Sequence, residues 1–473
     1  MSVERPGLSS VATYNSVSQD TQNQHPLPRV SYGDEEEGPD DELDDSEGVA
    51  PAKQPPTTNS IRRIHFMLGA ALLLPWNSMI TATSYFQSRL ATVPAYRDNF
   101  SFVLSTALTT CNVVFLLHAT LTAKTSPLTR RLRSSALFIT ALFVFFSVTA
   151  LVALPPIPFF YLVIGAGILQ SGAVSYMNAA VFALASLFGP LTMQAAMAGQ
   201  AAAGVLVSLV QMITLYSSLR SSSRDSEKDT SGPAAFWFFT ASTLFMLATI
   251  GVHGYVARQG AYRRVVEPVE TAQSAPLAHG VDKEGLAYTA RVARNNLIFN
   301  FTVASVFIVT LSVFPAITAS VRPSHPAPDG SASLSHPFMF TAFHFLIFNI
   351  GDWLGRYLCS FPSFVIHDPR ILLSLSLTRV LFVPLFLACN FSPLGNTSGS
   401  NLDVIFFVLV LALGTSNGWL GSLCMMSAAD PAHNHRVTSE DVESAATIAS
   451  FCLVGGLSLG SVVSIAVGTL VPR

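Results

Sequence analysis

Eleven times between residues 61 and 473 the chain runs through about 20 or more mostly apolar residues and then breaks at a short polar or proline-bearing segment. Runs of that length match the hydrocarbon thickness of a bilayer. Inside a bilayer every backbone N–H and C=O must find its partner within the protein, so such runs can only be helices. The runs cover about 64–86, 101–122, 135–154, 158–187, 190–218, 233–257, 296–319, 336–361, 371–390, 402–429 and 441–470. Their number predicts an all-α polytopic membrane protein with eleven transmembrane helices. The stretch 158–218 is too long for one crossing, and Phe188-Gly189-Pro190 is expected to turn the chain, because a proline cannot continue a helix ladder.

Only 11% of the residues are charged, against about 25% in a soluble domain. Residues 1–60 hold 12 Asp/Glu and 3 Lys/Arg, which leaves 16 acids and 23 bases for residues 61–473. That acidic segment, rich in Ser and Pro, has too few apolar residues to bury a core and is expected to be a disordered cytosolic tail. With the N-terminus inside, inner segments carry 14 Lys/Arg and outer segments 7, which is the sense of the positive-inside rule. Three glycosylation sequons, at Asn99, Asn390 and Asn396, then fall outside. The organisation expected is a tail over 1–60, a six-helix bundle over 61–257, a flexible cytosolic linker loop over 258–295 and a five-helix bundle over 296–473. The five cysteines lie in or beside apolar runs without pairing spacing and are expected to pack as small hydrophobes.

Charge inside a bilayer is expensive and marks function or a helix lock. Asp352 and Arg356 lie four apart in FNIGDWLGR, one turn on one helix face, where carboxylate and guanidinium can pair. The pair either locks two helices or stands in a substrate path. Arg379 lies mid-span in the next helix and can join it. Trp76 sits mid-span in LLLPWNSMITATSYF, placed for packing or for stacking on a flat ligand, and Asn77 beside it can satisfy groups freed by Pro75. Gln170 and Gln200 are mid-span amides whose hydrogen bonds must point inward. Gly204 and Ser208, and the row Gly456, Gly460, Ser464 and Gly468, form four-residue stripes of the kind that lets helices approach closely. Ser416-Asn417-Gly418 is a polar point in the tenth run.

Enzyme signatures are missing. A carboxylate dyad needs two deep acids and only Asp352 is deep. Asp430, His433 and His435 have metal-like spacing but fall on an inner loop, where a solvated turn is expected, so no metal is assigned. No GxxxxGK[ST] loop supports ATP-driven pumping.

The segments PWNSMITATSYF, GILQSG, AGQAAAG, FPAIT, FNIGDWLGR, SNGWLGSLCM and FCLVGGLSLGSVVS, in that order, resemble the equilibrative nucleoside transporters. The resemblance implies a major-facilitator-like arrangement of six plus five helices around a central cavity and no enzymatic activity. It also implies facilitative, alternating-access transport of purine and pyrimidine nucleosides, with nucleobases as further candidates. It places Trp76 and Gln170 against the base, and Asp352 and Arg356 against the ribose. Asn77, Gln200, His344, Asn349, Arg379 and Asn417 are additional candidates for the substrate path or gates. The partners implied are nucleosides and the lipid bilayer, without cofactor or nucleic acid. The acidic tail is similar in composition to that of fungal members at vacuolar membranes, so the expected location is a vacuolar, endolysosomal or plasma membrane. Two other readings stay open: proton-coupled symport, with Asp352 or His344 as carrier, and a membrane receptor or scaffold.

Overall fold

The computed structural model describes residues 58–221, 231–273, 283–315, 317–324, 333–390 and 400–468. The acidic segment up to residue 57 and the sequon at Asn396 lie outside them. Among the described residues, eleven helices are long and apolar enough to cross a membrane. In chain order the helices are α1 Asn59–Thr81, α2 Thr83–Arg89, α3 Pro94–Leu121, α4 Leu128–Leu151 and α5 Pro156–Leu187. Then come α6 Pro190–Ser221, α7 Ser231–Val256, α8 Gly260–Gln273, α9 Lys283–Asn295 and α10 Leu297–Val313. The last five are α11 Pro337–Leu358, α12 Pro369–Thr378, α13 Phe382–Asn390, α14 Ser400–Ala428 and α15 Val442–Gly468. Helices α2 and α13 continue the spans begun by α1 and α12.

Proline sets many of the boundaries. Pro94, Pro156, Pro337 and Pro369 each open a helix, where the missing N–H costs nothing. Asp368 caps α12 by accepting from the backbone N–H of Arg370 at 2.7 Å and of Ile371 at 3.3 Å. The turn expected at 188–190 is present: α5 stops at Leu187, Gly189 takes φ 89°, and Pro190 opens α6. That left-handed conformation is one a side chain would resist.

The stretch expected as a flexible linker loop, 258–295, instead carries two helices over 260–273 and 283–295. The reason is amphipathicity. In α8, Tyr262, Val266 and Gln273 are buried on one face with Val265 and Val269 beside them, and α9 buries Val292. Spacings of three and four make one stripe, which seals against the bundle while charged residues stay outside. The start of α1 at Asn59 also precedes the expected tail boundary by two residues.

Contacts run mainly within two sets of spans. Helix α1 packs on α6 and α7, and α3 and α4 on α5; α10 packs on α15 and α14, and α11 on α14. Helices α6 and α5 cross to α11 and α15. The tightest crossings are made by glycine. A Cβ at Gly418 would collide with the backbone oxygen of Asp352, and one at Gly355 with that of Thr415, so α11 and α14 touch backbone to backbone. Gly69 and Gly199 do the same between α1 and α6. The stripe in α15 behaves as expected at Gly456 and Gly460, which lie on the backbone of α10.

Gly418→Ala is therefore expected to lower the melting temperature of the detergent-solubilised protein, at a cost on the overpacking scale of about 1–3 kcal/mol. Gly165→Ala, where nothing lies within 4 Å of the added carbon, is the control and should not destabilise. Equal melting temperatures for both variants would contradict the backbone contact.

Candidate functional site

Asp352 and Arg356 are both buried, and Arg356 Nε donates to Asp352 Oδ2 at 2.9 Å. The i,i+4 spacing puts them on the face of α11 that meets α6 and α14. From α6, the carbonyl of Met197 accepts from Arg356 Nη1 at 2.9 Å and Gln200 Oε1 lies 3.4 Å from the same nitrogen. Gln194 Nε2 donates to the Arg356 carbonyl at 2.9 Å. From α14, Asn417 Nδ2 donates to Asp352 Oδ1 at 2.6 Å. Both carboxylate oxygens are thus engaged by donors from two helices, as a buried charge requires.

Asn349, one turn earlier, donates to Ser208 Oγ on α6 at 2.8 Å, and its Oδ1 fills the space left by Gly204. The small-residue face expected on α6 receives this polar side chain. Leu73 of α1 comes near the same point, so side chains of α1 and α11 meet at Gly204. Helix α6 packs on both α1 and α11.

On that side, Gln170 of α5 is 2% exposed and its Nε2 donates to the carbonyl of Pro75 at 2.9 Å, while its Oε1 is buried without a partner. A buried amide oxygen left free is an acceptor held ready for a ligand or water. Trp76 is half-buried against the core next to this bond. Asn77 does not satisfy a backbone group as expected: its Nδ2 is buried without a partner. Gln170, reaching across from α5, donates to the carbonyl of Pro75, not to that of Ala71, the carbonyl left without a helix donor by the missing N–H of Pro75.

Arg379 is 3% exposed and contacts no carboxylate among the described residues. It donates to the carbonyls of Val306 at 2.6 Å and Leu413 at 3.2 Å, and to the hydroxyls of Thr310 at 2.8 Å and Ser416 at 3.1 Å. It joins the pair only through intermediates: Thr310 Oγ1 lies 2.7 Å from Asn417 Oδ1. Thr310 had no signal of its own in the sequence, being an ordinary hydroxyl in an apolar helix, whereas Ser416 belongs to the polar point noted in the tenth run.

His344 is not brought to the pair. Eight residues of helix separate it from Asp352, about 12 Å at the usual rise. It is buried among Phe314, Phe345 and Phe406, with Nε2 3.4 Å from Thr318. His433 pairs with Asp430 at 2.6 Å and stacks on His367 with ring centroids 3.4 Å apart. Among the described residues no group of His, Cys, Asp and Glu is placed to hold a metal.

A cavity of about 660 Å³ lies elsewhere, at the end of the bundle where α8 and α9 sit. Its lining includes Lys124, Gln273, Tyr288, Ser439, Glu440 and Glu443. The Tyr288 hydroxyl sits between Lys124 Nζ at 2.7 Å and Asp441 Oδ1 at 2.8 Å, and Arg291 bridges to Asp441 at 3.0 Å. Gln273 donates to both oxygens of Glu443, and Glu270 accepts from the N–H of Thr129 at 2.6 Å. The two amphipathic helices are thus fastened to α4 and to the start of α15. Burial pushes the Asp441 carboxyl up, but the bonds from Tyr288, Thr438 and Arg291 outweigh it and hold it below the usual carboxylate range.

The chain to this point is a polytopic membrane protein with a hydrogen-bonded charge cluster buried between its spans. Residues 286–468 match the family model described as Nucleoside transporter. Over 452 residues it is 28% identical to human equilibrative nucleoside transporter 1, covering 85% of this chain and 95% of that one. It is 28% identical to human equilibrative nucleoside transporter 2, covering 84% and 94%, and 25% identical to equilibrative nucleotide transporter 1 of Arabidopsis thaliana, covering 85% and 84%. Similar solved structures include the major facilitator superfamily proton:xylose symporter XylE bound to 6-bromo-6-deoxy-D-glucose. It is 9% identical with TM-score 0.49 and covers 87% of this chain and 94% of that one. Over most of its length the chain is similar to equilibrative nucleoside transporters, and its C-terminal part matches the Nucleoside transporter family model.

Tyr288→Phe removes the hydroxyl shared by Lys124 and Asp441 and should speed limited proteolysis within residues 258–295 by about tenfold, the scale of one charge-assisted hydrogen bond. Because the folded Asp441 pKa is depressed, its contribution is present above the ordinary carboxylate pKa and is lost as pH falls below it. Thr289→Val, whose hydroxyl bonds only within α9, should leave cleavage unchanged. Equal cleavage of wild type and Tyr288→Phe would contradict the fastening.

Proposed function

We propose that this transporter carries purine and pyrimidine nucleosides down their gradient by alternating access, with Trp76 and Gln170 against the base and Asp352 and Arg356 against the ribose. The observation that carries the assignment is the Asp352–Arg356 pair, buried on α11 against α6, the helix that also packs on α1, where Trp76 and the Gln170-bonded Pro75 lie. A nucleoside is a flat ring joined to a hydroxyl-rich sugar. One stacking face and a free amide acceptor suit the ring, and a carboxylate with a guanidinium suits the sugar hydroxyls. Gln200 and Asn349 line the α6–α11 contact beside the ion pair, and Asn77 adds a free donor beside Trp76. The chain is not an enzyme.

In this reading the first six spans and the last five form two bundles that rock about the α6–α11 and α5–α15 contacts. The N-terminus is cytosolic, supported by the bias of basic residues, and the fastened α8 and α9 then lie on the cytosolic end. The membrane is vacuolar, endolysosomal or plasma membrane. Proton coupling through His344 finds less support, because the imidazole sits in an aromatic cluster about 12 Å along the helix from the pair.

Binding of uridine and uracil tests the assignment. Ligands that bind the folded state raise its apparent stability in proportion to affinity, so the wild type should be protected far more by uridine than by uracil. Asp352→Asn keeps the side-chain size but leaves Arg356 without its counter-ion, and should erase that preference while uracil protection survives. Trp76→Ala should weaken both ligands, and Trp76→Phe should keep part of each. An Asp352→Asn protein that still prefers uridine as the wild type does would confine the pair to holding helices together.

A further inference from the structure

We infer that Arg379 is a positioning residue for Asp352, acting through a one-way relay of hydrogen bonds in which Thr310 and Asn417 are the links. The inference rests on the reading of Asp352 as the ribose contact and names what sets its orientation.

Donor and acceptor capacities allow only one assignment. An ionised carboxylate only accepts, so the group of Asn417 facing Asp352 Oδ1 at 2.6 Å must be its NH2. The amide oxygen must then face Thr310, 2.7 Å away, and an amide oxygen only accepts, so Thr310 must donate its single hydroxyl hydrogen there. That hydroxyl has a competing acceptor, the carbonyl of Val306 at 2.9 Å, the usual back-bond of a threonine in a helix. Arg379 removes the competition. Its Nη1 occupies the Val306 carbonyl at 2.6 Å, and its Nη2 donates to Thr310 Oγ1 at 2.8 Å, taking a lone pair and turning the hydrogen toward Asn417. The direction guanidinium, hydroxyl, amide, carboxylate is fixed at every step, and a guanidinium, which cannot accept, can only stand at its donor end.

The backbone prepares this place. Pro384 cannot supply an N–H to the carbonyl four residues before it, and the span breaks from α12 into a short 3₁₀ turn, Arg379–Leu381, before resuming as α13. The turn opens with Arg379, which faces α10 and α14 at once. Its Nε holds Ser416 and its Nη2 also reaches the carbonyl of Leu413, so the fork is anchored on α14 one turn from Asn417. Arg356 holds the other oxygen of Asp352. The carboxylate is thus gripped from both sides, and only one of the two cations touches it.

The test uses the full-length protein and compares uridine and uracil affinities. Thr310→Val is nearly isosteric and breaks the relay without touching any charge. It should weaken uridine about tenfold, the scale of one buried hydrogen bond to a charged group, and change uracil by no more than about twofold. Thr310→Ser restores the hydroxyl and should recover uridine affinity. Arg379→Lys, which keeps the charge but cannot span both Val306 and Thr310, should behave as Thr310→Val does. In an Asp352→Asn background Thr310→Val should have no further effect on the uridine-to-uracil ratio, because the carboxylate it positions is gone. Unchanged discrimination in Thr310→Val, where Asp352→Asn abolishes it, would overturn the relay and leave the ribose assignment standing. Equal loss of both ligands, without rescue by serine, would overturn it as well. Unchanged discrimination in Asp352→Asn itself would overturn the ribose assignment and the relay with it.

Discussion

The backbone contact between α11 and α14 decides what the rest of the site can be. Gly355 and Gly418 let the two helices approach until carbonyl oxygens replace side chains at the crossing, which brings Asn417 within hydrogen-bond reach of Asp352. A bulkier residue there would move the amide away and leave a carboxylate buried with one donor fewer, at a cost of about 1–3 kcal/mol or more. Helix α6 completes the enclosure from the other side, where Gln194, Met197 and Gln200 hold Arg356 and its backbone. The ion pair is stable where it is because three helices were cut small enough to surround it.

Charge accounting gives the site its character. Asp352 pairs with one buried guanidinium, and the second, Arg379, is held by carbonyl and hydroxyl dipoles instead of a carboxylate. Holding a cation by dipoles keeps it in place without neutralising the pair, so the carboxylate retains donors on both oxygens. On the α1 side the supply is the reverse: Gln170 has an unused acceptor and Asn77 an unused donor.

Much of this was legible from residue order, for reasons that can be named. Bilayer thickness dictates run length, so the eleven spans and the Gly189–Pro190 turn could be placed closely from hydropathy and proline alone. The Asp352–Arg356 pair follows from helix periodicity and the cost of buried charge. The amphipathic helices at 260–273 and 283–295 were hidden by their prolines, charges and low hydropathy, although Tyr262, Val266 and Val269 carry the stripe. The four-residue pairs Gly351–Gly355 and Gly414–Gly418 were not read as a crossing, because which helix faces which is a tertiary fact. Thr310 and Met197 carry no local signal, since hydroxyls and backbone carbonyls acquire roles only from what packs against them. His344 illustrates the converse: a titratable group near the right residue in sequence, turned into an aromatic cluster by the helix that carries both.

The central claim is that this bundle equilibrates nucleosides without coupling to another gradient. Uptake of labelled uridine and adenosine into proteoliposomes, with and without an imposed pH gradient, tests it most directly. The account predicts saturable entry that stops when internal and external concentrations match, with the same plateau whether or not a pH gradient is present. Accumulation above the external concentration when the pH gradient is imposed, or no entry beyond that of protein-free vesicles, would contradict it.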